Sequence, residues 1–98
     1  MSELPVVAVI TAKEGSVDVT RDALTALVAP TRAEEGCLSY ELYESAAVPG
    51  VFVTIESWRS QADVDAHLGS EHVAAALTAA SESLAVPPAI HPLTPVEV

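Results

Sequence analysis

The side chains able to do acid–base or redox chemistry are few in this chain, and most lie between Thr31 and His72. They are Cys37, the single cysteine, with Tyr40, Tyr43, Trp58, His67 and His72. A histidine near its unperturbed pKa is a natural base toward a phenol, so His67 or His72 is a candidate for that role. The alternative for each is a hydrogen bond across a helix turn or a subunit interface. The two flank Gly69 at a separation of five, which is not the i, i+4 face spacing of a helical metal pair, and no metal site is predicted. Cys37 follows Gly36, with no helix N-terminus or cationic partner evident to make a thiolate. It reads as a small buried hydrophobe rather than a nucleophile. Arg32, near a helix C-terminus, suits the macrodipole and is expected to pair with Glu34 or Glu35.

These residues must be held by a small set of elements. "LPVVAVITA" is apolar at nearly every position and β-branched at most, which predicts a central strand covered on both faces. "KEGS" is a turn. From Val17, the spacing of Val17, Leu24, Leu27 and Val28 predicts a helix capped by Ser16 and ending near Arg32 to Glu35, with Pro30 late in it. "CLSYELYE" and "VFVTIESW", joined by "SAAVPG", predict an antiparallel hairpin. Alternation places Leu38, Tyr40 and Leu42 on one face of its first strand, and Phe52, Thr54, Glu56 and Trp58 on one face of its second. Ser60 caps a short helix through "SQADVDAHL", which Gly69 breaks. Val73, Leu77, Ala80 and Leu84 then predict a further helix. "PPAIHPLTPVEV" is too rich in proline for anything but an edge strand and tail. The order is the split β-α-β, ferredoxin-like pattern: an α+β fold with one four-stranded antiparallel sheet and helices on one face. The bare face is expected to pack on its twin in a dimer.

Bulk composition agrees with a single domain over residues 1–98, with about 88–98 as edge strand and tail reaching toward a dimer partner. Half the residues are hydrophobic, more than one thin core needs, and a homodimer is the expectation. The net charge of −10 and the lack of any basic cluster disfavour nucleic acid and anionic membrane as partners. No apolar run approaches the roughly 20 residues of a bilayer span, and one cysteine implies no oxidising compartment. A cytoplasmic location is expected.

"APTRAEEGCLSYELYES", followed by a proline-containing turn, "VFVTIESW" and "ADVDAHLGSEH", resembles the antibiotic biosynthesis monooxygenase family of dimeric α+β barrel proteins. The resemblance spans residues 4 to 92. It rests on the ordered set Thr31-Arg32, Gly36-Cys37, Tyr40, Glu56-x-Trp58, His67 and His72. It implies a small enzyme that oxygenates or oxidises phenolic or quinol-like substrates with dioxygen, without metal or flavin. An electron-rich phenolate can hand electrons to oxygen itself, so the protein need only bind, orient and exclude water. Family position implies that Trp58 lines the cavity, with Thr54 on the same face where the family's monooxygenases carry an asparagine. Haem-degrading relatives carry a histidine ligand at the position matching Leu77, and leucine cannot ligate iron.

The predicted site is therefore Trp58, His67 and His72 as the catalytic group, with Thr54, Tyr40, Phe52 and Leu77 contacting substrate. No cofactor is predicted, because no glycine-rich phosphate loop occurs and the acidic balance disfavours a flavin phosphate. A different class of function competes: a non-catalytic dimeric barrel that binds a small aromatic ligand or a protein partner, which Thr54 in place of asparagine favours.

Overall fold

β1 (Leu4–Thr11) alternates between fully covered and half-covered positions: Val6, Ala8 and Ile10 are buried, while Pro5, Val7, Val9 and Thr11 are intermediate. That pattern is a central strand with a deeper and a shallower side. The computed structural model describes residues 3–98 and continues through α1 (Val17–Arg32), β2 (Cys37–Glu44), β3 (Val51–Trp58), α2 (Gln61–Leu68), α3 (Glu71–Ala80) and β4 (Ala89–Pro92). The sheet order is β2-β3-β1-β4 with every neighbouring pair antiparallel, the ferredoxin-like arrangement. β4 takes the edge beside β1, where Pro92 costs no ladder bond to a further strand.

Register places Val6 opposite Glu56, Ala8 opposite Thr54 and Ile10 opposite Phe52, so the inward residues of β1 and β3 share the helix-side face. Two apolar clusters form there. One joins Val6, Tyr40, Trp58 and Val64, and the other joins Ala8, Ile10, Leu24 and Phe52. The opposite face carries Val7, Val9, Val53, Ile55 and Tyr43, with Ile55 51% and Tyr43 53% exposed.

Local chemistry accounts for the joints. The β2–β3 turn closes because Ser45 Oγ accepts from the backbone of Ala47 and Val48, and Gly50 takes a φ of 89° that side-chain-bearing residues avoid. Ser60 caps α2 by accepting from Asp63 N at 3.2 Å, and Ser70 caps α3 by accepting from Val73 N at 3.4 Å.

Several expectations need correction. Ser16 occupies the N-cap of α1 but makes no side-chain cap bond; the Thr20 hydroxyl instead donates to Ser16 O at 2.9 Å. By contrast, α1 ends at Arg32 with Pro30 inside it, as expected. Leu38 does not share the inward face with Tyr40 and Leu42: a bulge between Cys37 and Ser39 leaves it 51% exposed. α3 stops at Ala80, and Leu84 instead bridges Ala12. Arg32 pairs with neither Glu34 nor Glu35. It donates to Tyr40 O at 2.9 Å and to Glu41 at 2.8 Å, because the chain reverses at Gly36 and lays β2 beside the helix end.

Candidate functional site

Alternation along β3 turns Phe52, Thr54, Glu56 and Trp58 toward the helices, and one of these is a charge on an otherwise apolar face. The Glu56 side chain is satisfied by its own strand. Thr54 Oγ1 donates to Oε2 at 2.5 Å and Trp58 Nε1 donates to Oε1 at 2.8 Å. Each partner is two residues away, the spacing at which same-face strand side chains meet. A buried carboxylate with both oxygens paired is a costly feature that needs these donors.

The second polar cluster is built from three elements. Glu34 lies in the turn after α1, His67 in the last turn of α2, and His72 in the first turn of α3. His67 Nδ1 approaches Glu34 Oε2 at 2.6 Å, and His72 Nε2 approaches the same oxygen at 2.7 Å. The close packing that permits this is visible at Gly36, where an added Cβ would overlap the Asp63 side chain of α2. Asp63 is itself clamped by Arg59 at 2.9 and 3.0 Å and by Ser60 at 2.7 Å. The His67 ring lies 4.8 Å from the Trp58 ring, 6.0 Å from Tyr40 and 5.9 Å from His72.

A cavity of about 340 Å³ lies between the helix-side face of the sheet and the helices, within the size range of small-molecule sites. β1, α1 and α3 supply an aliphatic wall, and Tyr40, Thr54, Glu56 and His67 converge as its polar part. His67 has Nδ1 engaged by Glu34, so Nε2, without a partner among the described residues, is the nitrogen available to a ligand. Burial, with the Glu56 charge second, raises the Tyr40 phenol far above its usual range and keeps it a hydrogen-bond donor. Thr54 gives its hydrogen to Glu56 and can only accept from a ligand.

Of the residues singled out from sequence, Tyr40, Thr54, His67 and Leu77 border this cavity. Trp58, Phe52 and His72 do not. Trp58 is 0% exposed and sits behind Glu56; Phe52 belongs to the second apolar cluster; His72 is on the outer side of Glu34, its side chain 26% exposed. Burial, then the Glu34 and Glu56 charges, raises the Cys37 thiol, and it packs against the Trp58 cluster as a small hydrophobe. The residues that sequence reasoning gave no role in the site are Glu34 and Glu56. Glu56 had a usable signal, a charge at an inward position of an alternating strand. Glu34 had none, since its partners lie 33 and 38 residues away.

The chain is thus a ferredoxin-like α+β sheet with a helix-side cavity, polar at one end through a tyrosine, a carboxylate and a carboxylate-held histidine. The chain belongs to the antibiotic biosynthesis monooxygenase family, whose model, described in those words, matches residues 4–79. Rv0793 of Mycobacterium tuberculosis, whose name marks it as a suggested monooxygenase, is 43% identical over 77 residues, 79% of this chain and 75% of that protein. Its solved structure superposes with a TM-score of 0.87 at 37% identity, covering 99% of this chain and 98% of the other. PA3566 from Pseudomonas aeruginosa superposes with a TM-score of 0.90 at 33% identity, covering 99% and 97%. Among the described residues no helix is long and apolar enough to cross a membrane.

Proposed function

We propose that this domain uses dioxygen to oxidise or oxygenate a phenolic or quinol-like aromatic in the helix-side cavity, with no metal or flavin taking part, as a homodimer. The observation that carries the reading is His67, a histidine on the cavity wall whose far nitrogen is held by Glu34 at 2.6 Å. Membership of the family and the name of Rv0793 support the reaction class. The exposed apolar face of the sheet supports the dimer, with Leu93 and Val96 of the tail also exposed and free to reach a twin.

The substrate hydroxyl approaches His67 Nε2, which accepts its proton, while Glu34 stabilises the resulting imidazolium through Nδ1–H. The Tyr40 hydroxyl donates to the phenolate oxygen, and Thr54 accepts from a second ring hydroxyl. The phenolate then passes electrons to dioxygen in a water-poor cavity. In quinol oxidation, two electrons and two protons leave the ring to give a quinone, and dioxygen takes them up as hydrogen peroxide. In oxygenation, a ring CH₂ activated by the phenolate becomes C=O, one oxygen atom enters the product and the other leaves as water.

The test is oxygen uptake with a panel of quinols and polyphenols. Uptake above the spontaneous rate is expected, a chelator should not lower it, and His67→Asn should reduce it by about 100- to 10,000-fold. One observation favours the competing reading, a non-catalytic barrel for a small aromatic ligand or protein partner: Trp58, the aromatic expected to orient a ring, is sealed away from the cavity. A panel without turnover would establish that reading instead.

A further inference from the structure

We propose that Glu34, His67 and His72 form a binding site for a divalent transition-metal ion of zinc's class, and that occupancy converts His67 from a proton acceptor to a hydrogen-bond donor toward the cavity. The second half rests on the reading of His67 as the base; the first stands without it.

Both imidazoles aim at one carboxylate oxygen. His67 Nδ1 and His72 Nε2 converge on Glu34 Oε2 at 2.6 and 2.7 Å, while Oε1 has no partner among the described residues. Hydrogen bonding alone would be better served by one imidazole on each oxygen, whereas two imidazole nitrogens and a carboxylate oxygen gathered in one cluster suit a small cation. The three atoms lie within 4.8 Å of one another. Tetrahedral bonds of 2.0–2.1 Å place ligand atoms about 3.3 Å apart, so side-chain rotations suffice to spread the two short contacts and close the third. Two imidazoles and a carboxylate suit zinc, cobalt or nickel, and a single negative charge in the set leaves a divalent ion partly neutralised within a chain of net charge −10.

The backbone holds the ligands in place independently of any ion. Cys37 N donates to Glu34 O at 3.1 Å, and the Ser70 hydroxyl donates to His67 O at 2.6 Å while its oxygen caps the helix bearing His72. The His72 side chain is the most open of the three, which provides an entry route and room for a water as fourth ligand. Glu34 and His72 do not border the cavity, so the ion would sit behind His67 rather than on the substrate.

That position gives the ion an effect through the ring. With Glu34 accepting from Nδ1–H, the proton of neutral His67 is on Nδ1 and Nε2 presents a lone pair to the cavity. A metal on Nδ1 forces the proton to Nε2, so the same wall atom becomes a donor and can no longer act as a base.

Calorimetric titration of Zn²⁺ into chelator-treated protein, with Co²⁺ absorbance as a second probe, should give one ion per chain and a raised melting temperature. His72→Ala and Glu34→Gln should each weaken binding by about 100-fold or more. No binding, or binding unchanged in both variants, would overturn the site. Imidazole ¹⁵N shifts read the switch without needing turnover: on Zn²⁺ addition His67 Nε2 should change from unprotonated to protonated. An ion that binds while Nε2 stays unprotonated would overturn the switch. A quinol panel without turnover would count against the proposed reaction and leave both of these readouts intact.

Discussion

Replacing Trp58 by phenylalanine removes one donor from a buried carboxylate while keeping an aromatic ring in the core. Glu56 is 7% exposed and holds two hydrogen bonds, from Thr54 and from Trp58 Nε1 at 2.8 Å. A hydrogen bond to a charged group contributes about 1.5–3 kcal/mol, and the trimmed ring costs about 1 kcal/mol more in packing, for a total near 3 kcal/mol. In a domain of 98 residues each kcal/mol moves the melting temperature by about 4–8 °C, so the variant should melt roughly 12–24 °C lower. The cause is isolated by adding Glu56→Gln. If the damage is an under-paired charge, neutralising it should cost less in the Trp58→Phe background than in the wild type, by about 1–2 kcal/mol in a double-mutant cycle. Urea unfolding followed by circular dichroism measures all four proteins. Additive costs to within about 0.5 kcal/mol would refute the reasoning and reduce Trp58 to a packing residue.

Tyr40 should leave a mark on alkaline stability. Its folded-state pKa is raised, so the native protein keeps a proton that the unfolded chain releases from about pH 10 upward; the stabilisation is complete below that pH and is lost as pH climbs toward the folded value. Tyr40→Phe should therefore flatten the fall of melting temperature on the alkaline side, and an unchanged slope would contradict the assignment. The open sheet face should mediate self-association: light scattering should return a dimer mass for the wild type and a monomer mass for Val9→Asp, whose position pairs with Val53 at the centre of that face. A stable wild-type monomer at micromolar concentration would reject the dimer.

The elements were legible where a single periodicity ran unbroken. Phe52 to Trp58 alternates cleanly and Ser60 caps its helix at the expected place, whereas the unbroken apolar run of β1 showed a central strand but not that its Val7 and Val9 side is only half-covered. Leu38 was misplaced because a bulge adds a residue to the strand and breaks the period of two without leaving a glycine or proline to announce it. Leu84 continued a helical spacing in sequence after hydrogen bonding had already ended the helix at Ala80. Tyr40, Thr54, His67 and Leu77 could be placed near one cavity from strand face and resemblance. The cluster on Glu34 could not, because it depends on tertiary closure. The five-residue separation of His67 and His72 argues against shared ligation only on one helix; Gly69 and Ser70 put them on two, and the turn carrying Glu34 meets both.

The two apolar clusters on the sheet have a consequence for how this domain would announce its ligand. Val6 and Tyr40 of one, and Ala8 and Ile10 of the other, all border the same cavity, so the space between them is a missing piece of core. An aromatic molecule seated there would act as a keystone, packing against both units at once. Occupancy at 100 times Kd adds about 2.7 kcal/mol to the folded state, a large share of what a small domain has in reserve. Heat resistance thus becomes a readout of molecular fit, and a melting screen can rank aromatic compounds before any reaction has been observed.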